Sequence, residues 1–277
     1  VEHMTLTIAQ LSDLHCGSPL HDPDLLVHSV NEILDLQPDI VLVVGDLTQE
    51  GYSDEFQAAR DALRPLQESF TTIVIPGNHD AKNVGYVHFE DHFGKGEDGR
   101  ADRVLHLHRE VAPFGVSVVA VDSSRPDLAE GEVGRGRYPW IKAQFGEPAD
   151  LRIFALHHHL MPVPGTGRER NIVWDAGDLL DLLESCKVDI VLCGHKHVPH
   201  VWALGELLII NSGTVSSYRT RGYTRPSYNV VTVTEERVDV TLMYPGAGER
   251  HAATFDRGSA RLSRYLTGMF SKEDWKW

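Results

Sequence analysis

Cysteine is scarce in this chain, with only Cys16, Cys186 and Cys193 among 277 residues. An odd set without metal-finger spacing excludes a disulfide framework and points to free thiols in a reducing, cytoplasmic setting. Long apolar runs are also lacking. No stretch nears the ~20 residues of a membrane-spanning helix, so no membrane partner is expected. The opening stretch VEHMTLTIAQLSDLH shows no basic segment followed by an apolar one, so no signal peptide is expected. Positive charge is short as well: 26 Lys and Arg stand against 40 Asp and Glu, a formal net charge of -14. Such a surface repels nucleic acid and anionic lipid at long range, and no basic stripe is present to seat a duplex. An anionic substrate would need a local reversal of this field, which bound cations supply.

What is present is ordinary globular composition, 42% hydrophobic and 24% charged, enough to build a core. The first 80 residues read as β-α-β-α-β. LTIAQLS (6–12), DIVLVVGD (39–46) and TTIVIPGN (71–78) are apolar strands, with helices over about 24–36 and from Ser53 onward. The second helix carries Phe56, Ala59, Leu63 and Leu66 on one stripe. Near-continuous apolar strands suit a parallel sheet covered on both faces. Further strands are expected at RVLHLH, GVSVVAVDSS and LRIFALHHH (151–159), with helices near 138–145 and 176–185 and a strand at DIVLCGHKH (189–197). Residues 92–102 and 130–137 read as polar, Gly-rich loops, and after residue 200 the pattern is mostly β. No repeat or linker divides the chain, so residues 1–256 are expected to form one domain with two sheets. In the tail, 257–277, Leu262, Tyr265, Leu266, Met269 and Phe270 recur at helical spacing. That spacing predicts a C-terminal helix, packed on its own domain or facing a partner.

One event recurs along the chain. An apolar strand ends and metal-liking side chains follow at once: Asp13 and His15; Gly45-Asp46; Gly77-Asn78-His79-Asp80; His157-His158-His159; Gly194-His195-Lys196-His197. Strand carboxyl ends in open α/β sheets face the ligand crevice. Each group alone is weak, since Asp-x-His pairs cap helices and strand-ending Gly-Asp makes turns. Together, in this order, they predict a site for two metals about 3.5–4 Å apart. Asp13 and His15, two apart, would point the same way in an extended chain, as would His195 and His197. Asp46 could bridge the ions and Asn78 add a neutral oxygen. Gly45, Gly77 and Gly194 would let the backbone turn sharply beside them. The mixed Asp/His/Asn set suits Mn, Fe or Zn better than Ca. Cys16 and Cys193 lie near these residues in sequence, and packing is their expected role.

The series resembles the calcineurin-like metallophosphoesterases, over about residues 6–215. IPGNHD, VDSS (121–124), His157-His158 and NSGT (211–214) look closest to bacterial cyclic-nucleotide and glycerophosphodiester phosphodiesterases. The resemblance implies an α/β four-layer αββα sandwich, two mixed sheets flanked by helices. It implies two divalent or trivalent ions, one held by Asp13, His15, Asp46 and His197 and the other by Asp46, Asn78, His157 and His195. His79 would assist the leaving group while a hydroxide between the ions attacks, and Asp80 would orient His79 or neighbouring backbone. Many relatives read His-His-Pro-Pro where this chain reads HHHLMP. The strand end favours His157 as ligand, a slip to His158 stays open, and His159 has no carried-over role. The implied activity is hydrolysis of small phosphodiesters, including 3',5'-cyclic nucleotides. A phosphomonoesterase and a non-catalytic scaffold are the alternatives, and a homodimer stays open.

Substrate contacts are less legible. SSYRTRGYTRP (216–226) carries Arg219, Arg221 and Arg225 with Tyr218 and Tyr223. It reads as a solvated loop or as a substrate rim, Arg219 and Arg221 meeting a phosphate and Tyr218 stacking on a base. Arg168 and Arg170, after His159, are a second candidate set.

Overall fold

The apolar strands of the sequence pair into two mixed sheets in the computed structural model, which describes residues 5–94, 104–111, 114–257 and 261–265. The first half supplies β1 (Leu6–Leu11), α1 (Pro23–Leu36), β2 (Ile40–Val44), α2 (Ser53–Ser69), β3 (Thr71–Ile75) and α3 (Gly85–Phe93). Then come β4 (Val104–Val111), β5 (Phe114–Val121), α4 (Tyr138–Gln144), β6 (Leu151–Ala155), α5 (Ala176–Ser185) and β7 (Ile190–Cys193). The chain continues with β8 (His200–Leu204), β9 (Leu207–Asn211), β10 (Tyr228–Val233), β11 (Arg237–Tyr244), β12 (Gly248–Asp256) and β13 (Arg261–Tyr265). One sheet has the order β13-β12-β11-β10-β1-β2-β3 and the other β4-β5-β6-β7-β9-β8. Parallel pairing runs through β1-β2-β3 and through β5-β6-β7-β9, with antiparallel strands outside.

Period-two alternation explains the layering. On β1 and β2, Leu6, Ile8, Ile40, Leu42 and Val44 meet Val118, Ile153 and Leu192 between the sheets. The intervening Ala9, Leu11, Val41 and Val43 turn outward against Ile33 of α1 and Phe56, Leu63 and Leu66 of α2. On the far side, Phe154 and Val191 pack against Ile141 of α4 and Leu179 and Leu183 of α5. The result is the expected α-β-β-α sandwich. Local signals place the helices too. Asp22 caps α1 by accepting from the Asp24 amide at 3.0 Å, and Glu55 accepts from the amides of Glu50 and Tyr52 at the start of α2.

The tail departs from the helical expectation. Residues 261–265 form β13, which pairs antiparallel with β12 from Asp256↔Arg261 to Ala253↔Tyr265. The edge of β12 offers a row of unpaired backbone groups, and a short apolar pattern cannot by itself distinguish helix from strand. The remainder of the predicted helix, 266–277, lies outside the described residues, as does most of the predicted 92–102 loop. Helix α3 and strands β8 and β12 carry no sequence signal that predicts them. α3 starts after Val84 in a left-handed conformation with no side-chain cap, and β12 mixes polar and small residues without clean alternation.

Candidate metal centre and active site

The five polar strand ends meet at one rim, where backbone hydrogen bonds run on past the strands. Asp13 N donates to Gly45 O, His15 N to Asp46 O and Gly194 N to His157 O, all at 2.9–3.0 Å. NSGT supports the first of these loops from behind. Thr214 Oγ1 donates to Asp13 O at 2.6 Å and Val215 N to Ser12 O at 3.0 Å. The expected extended geometry is not what brings the ligands together. Asp13, His15, Asp46, His195 and His197 have φ of 57°, 54°, 54°, 69° and 57°. Each left-handed non-glycine residue costs about 1–2 kcal/mol, and such strain concentrates at functional sites. The turns aim successive ligands inward where an extended chain would spread them. Of the three glycines, only Gly45 turns with positive φ, at 87°. At Gly77 and Gly194 the need is room: a β-carbon would fall 2.3 Å from Asp46 Oδ1 and 1.9 Å from Ser12 Oγ, respectively.

Two groups that could each hold a metal ion result, Asp13, His15, Asp46 and His197 in one and Asp46, His157 and His195 in the other, with their potential ligand atoms within 4.8 Å of one another. Asp46 belongs to both. Its Oδ1 accepts the His79 amide at 2.8 Å, while its Oδ2 lies 3.9 Å from His15 Nε2 and 3.3 Å from His157 Nε2. Asn78 Oδ1 joins the second group, 2.9 Å from His195 Nδ1, which is 3.3 Å from His157 Nε2. In the first group, His197 Nε2 is 3.0 Å from both Asp13 Oδ1 and His15 Nε2.

The chemistry of the donor set fits cations. His157 Nδ1 donates to Val44 O at 2.7 Å and His197 Nδ1 to Arg219 O. In the neutral rings both Nε2 atoms therefore present lone pairs to the cluster, the outer-partner arrangement of metal-binding histidines. Asp13 Oδ1 is buried without a hydrogen-bond donor. Acceptors thus converge on acceptors, which only positive charge can reconcile. The titration pattern agrees. Burial pulls His157 down, but Asp46 outweighs it and raises the ring to about 10. Burial pushes Asp46 up, yet His157 and His79 hold its carboxylate well below the usual range. Burial and His197 lower His15 to about 3, so its ring is neutral and free to ligate.

The sequence from 6 to 199 matches the calcineurin-like phosphoesterase family. The chain belongs to that family. It is 25% identical over 225 residues to a probable glycerophosphodiester phosphodiesterase of Arcobacter nitrofigilis, covering 76% of this chain and 79% of the relative. It is also 25% identical over 247 residues to a cAMP/cGMP dual specificity phosphodiesterase of Mycobacterium tuberculosis, covering 85% of this chain and 75% of the relative. Among solved structures, a dimetal phosphatase from Danio rerio superposes with a TM-score of 0.68 at 13% identity, covering 89% and 98% of the two chains. This chain is a calcineurin-like, metal-dependent phosphoester hydrolase.

Within this calcineurin-like site, His79 is half-buried, its ring edge-on to His15 with centroids 4.8 Å apart. Its Nδ1 donates to Gln49 O at 2.6 Å, and Lys82 Nζ donates to the same carbonyl at 3.0 Å. Lys82, three residues on and also paired with Glu50, has no sequence signal that singles it out. Asp80 serves backbone and not the His79 ring. Its carboxylate accepts from Leu47 N at 3.1 Å, Thr48 N at 2.9 Å, Thr48 Oγ1 at 2.7 Å and Gly77 N at 2.8 Å. It thereby ties the Asp46 and Asn78 loops together.

Of the pair left open by the sequence, His157 lies in a group that could hold a metal ion and His158 does not. His158 is buried with Nδ1 at 2.8 Å from Ser123 Oγ, so VDSS packs this ring, and it is absent from both ligand groups. His159 is buried and its Nε2 meets Glu169 Oε1 at 2.7 Å. The rim candidates divide. Tyr218 is exposed, and its hydroxyl donates to Asp22 Oδ2 at 3.0 Å, fastening the loop to the start of α1. Arg219 supports His197 through its carbonyl, and the carbonyl of Arg221 accepts from Thr224. The loops bearing Arg168 and Arg221 touch, since a β-carbon on Gly165 would stand 3.2 Å from the Cα of Gly222. The three cysteines are free. Cys16 and Cys193 are buried and belong to neither ligand group, and burial pushes the Cys16 thiol up to about 12.

Proposed function

We propose that the protein is a dinuclear-metal phosphodiesterase that hydrolyses small phosphodiesters, 3',5'-cyclic nucleotides among them. The observation that carries this reading is the sharing of Asp46 between two adjoining ligand groups. A single-ion enzyme has no use for a second set. When bound, a pair of Mn, Fe or Zn ions acidifies water and neutralises phosphoryl oxygens. Asp13, His15, Asp46 and His197 would hold one ion, and Asp46, Asn78, His157 and His195 the other. The curated relatives named as glycerophosphodiester and cyclic nucleotide phosphodiesterases support a diester substrate.

The remaining work falls to the chain's own groups. Hydrolysis adds water across one P–O bond, and the departing alkoxide needs a proton. In its imidazolium form His79, with Nδ1 committed to Gln49 O, gives its Nε2 proton to the alkoxide and is left as the neutral ring, a contribution of about 10²–10⁴-fold for a positioned acid. Asp80 keeps the Asp46 and Asn78 loops in register through their amides. Arg219 and Arg221, with Arg168 and Arg170 opposite, form a cationic rim for the anionic substrate on a chain of net charge -14; Tyr218 offers a ring at its edge. Three free cysteines suit a reducing, cytoplasmic compartment, and no helix among the described residues is long and apolar enough to cross a membrane.

Metal analysis of the purified protein, coupled to hydrolysis of a panel of diesters and monoesters, tests the proposal. Two equivalents of metal and faster turnover of bis-nitrophenyl than mono-nitrophenyl phosphate are expected. One equivalent, or a preference for monoesters, overturns it in favour of a mononuclear enzyme or a phosphomonoesterase.

A further inference from the structure

Lys196 stands between the two histidines of Gly194-His195-Lys196-His197, and it is not a solvated lysine. Only 2% of it is exposed. An ammonium so buried needs partners, since an unpaired charge in the interior is strongly destabilising. It has two: Nζ lies 3.0 Å from Glu169 Oε1 and donates to Arg170 O at 2.8 Å. The same Glu169 oxygen meets His159 Nε2 at 2.7 Å. The His159 ring in turn lies parallel to that of His195, with centroids 5.5 Å apart and planes at 9°. One carboxylate, on the loop after β6, therefore grips both the neighbour of His195 in sequence and the ring that stacks on it in space.

We propose that Glu169 is a positioning residue for His195, and so for the Asp46, Asn78, His157 and His195 ion site in particular. The inference rests on the two-ion reading above. The rings of His157 and His158 also lie against His195, with centroids 5.2 and 4.7 Å away but tilted by 86° and 38°; of the three, His159 is the one stacked parallel on it. Nδ1 of His195 points at Asn78 and His157, and its backbone is held in the left-handed region. The other group is held apart from Glu169 by His197 donating to Arg219 O and Ser12 Oγ donating to Asp13 Oδ2; its link to His195 is through the backbone amide and not the ring. Loss of Glu169 therefore acts unequally on the two ions. Outer partners of metal ligands are typically worth about 10–100-fold in affinity.

The test is a competitive chelator titration of the 277-residue chain with Zn²⁺ alone, on wild type, Glu169→Gln and the double variant Glu169→Gln/Lys196→Met. The double variant leaves no buried ammonium unpaired, so it retains the fold where the single one falters. Wild type is expected to bind two ions in resolvable steps. Both variants are expected to weaken one step by about 10–100-fold and leave the other unchanged. A merely structural role predicts a lower melting temperature with both steps weakened alike, and that result overturns the proposal. So does an unchanged pair of steps in the variants while wild type binds two ions. Wild type binding only one ion instead sinks the two-ion reading itself, and the proposal falls with it.

Discussion

Glycine-to-alanine substitution provides a graded measure of how tightly the strand ends are packed. Four positions separate two costs. At Gly136 an added β-carbon meets nothing within 4 Å and no left-handed backbone is involved. Gly136→Ala should be neutral or stabilising by about 0.4–1 kcal/mol through the unfolded chain. At Gly134 the space is equally open but φ is 84° with ψ of 128°, outside the left-handed helical well, so alanine costs backbone strain alone, about 1–3 kcal/mol. At Gly77 the backbone is permissive, yet the β-carbon would stand 2.3 Å from Asp46 Oδ1 and 2.4 Å from Asp46 N. Neither can retreat, because Asp46 is buried and its Oδ1 already accepts the His79 amide. Overpacking of this kind costs about 1–3 kcal/mol or more. Gly45 carries both costs, with φ of 87° and a β-carbon 2.6 Å from His157 Nδ1 and 2.7 Å from Gly77 N. Its loss should be about 2–5 kcal/mol. At roughly 2–4 °C per kcal/mol for a chain of this size, the order of melting temperatures is Gly136→Ala, then Gly134→Ala, with Gly77→Ala and Gly45→Ala lowest. The two clashing variants should also lose metal, since they displace Asp46 and His157. Thermal melts with metal analysis of each variant read both effects. If Gly45→Ala melts with Gly134→Ala and keeps its metal, the strand ends are looser than described and the shared-ligand geometry is wrong.

The remaining predictions concern chemistry. His79→Ala should keep its metal content and lose about 10²–10⁴-fold in turnover of a diester with an alkyl leaving group. The loss should be far smaller for a nitrophenyl diester, whose leaving group departs without a proton; equal losses on both would refute the acid role. His157, raised to about 10 by Asp46 against the pull of burial, carries a proton at neutral pH before any ion binds. Ion binding at that nitrogen needs the neutral ring, so apparent affinity should rise with pH, about tenfold per unit for the one displaced proton, up to about pH 10. Calorimetry in two buffers of different ionisation enthalpy counts the proton; a binding heat independent of buffer would contradict the assignment.

Much of the protein is determined by sequence alone. Near-continuous apolar strands set the two-sheet core, because both faces of a strand such as β2 are covered, Leu42 by the facing sheet and Val41 and Val43 by the helices. The candidate ligand types and their order are equally legible, since each group follows directly on an apolar strand. What the sequence does not hold is direction. Spacing suggests extended pairs, whereas the candidate ligands converge because five of them adopt left-handed backbone, a state that Asp and His visit more readily than most residues but that spacing does not reveal. The fate of residues 261–265 is likewise tertiary, since the open edge of β12 decides it. The partners of Asp80 and Glu169 are also set only in space. A carboxylate's function depends on which donors surround it, and those donors come from residues far away along the chain.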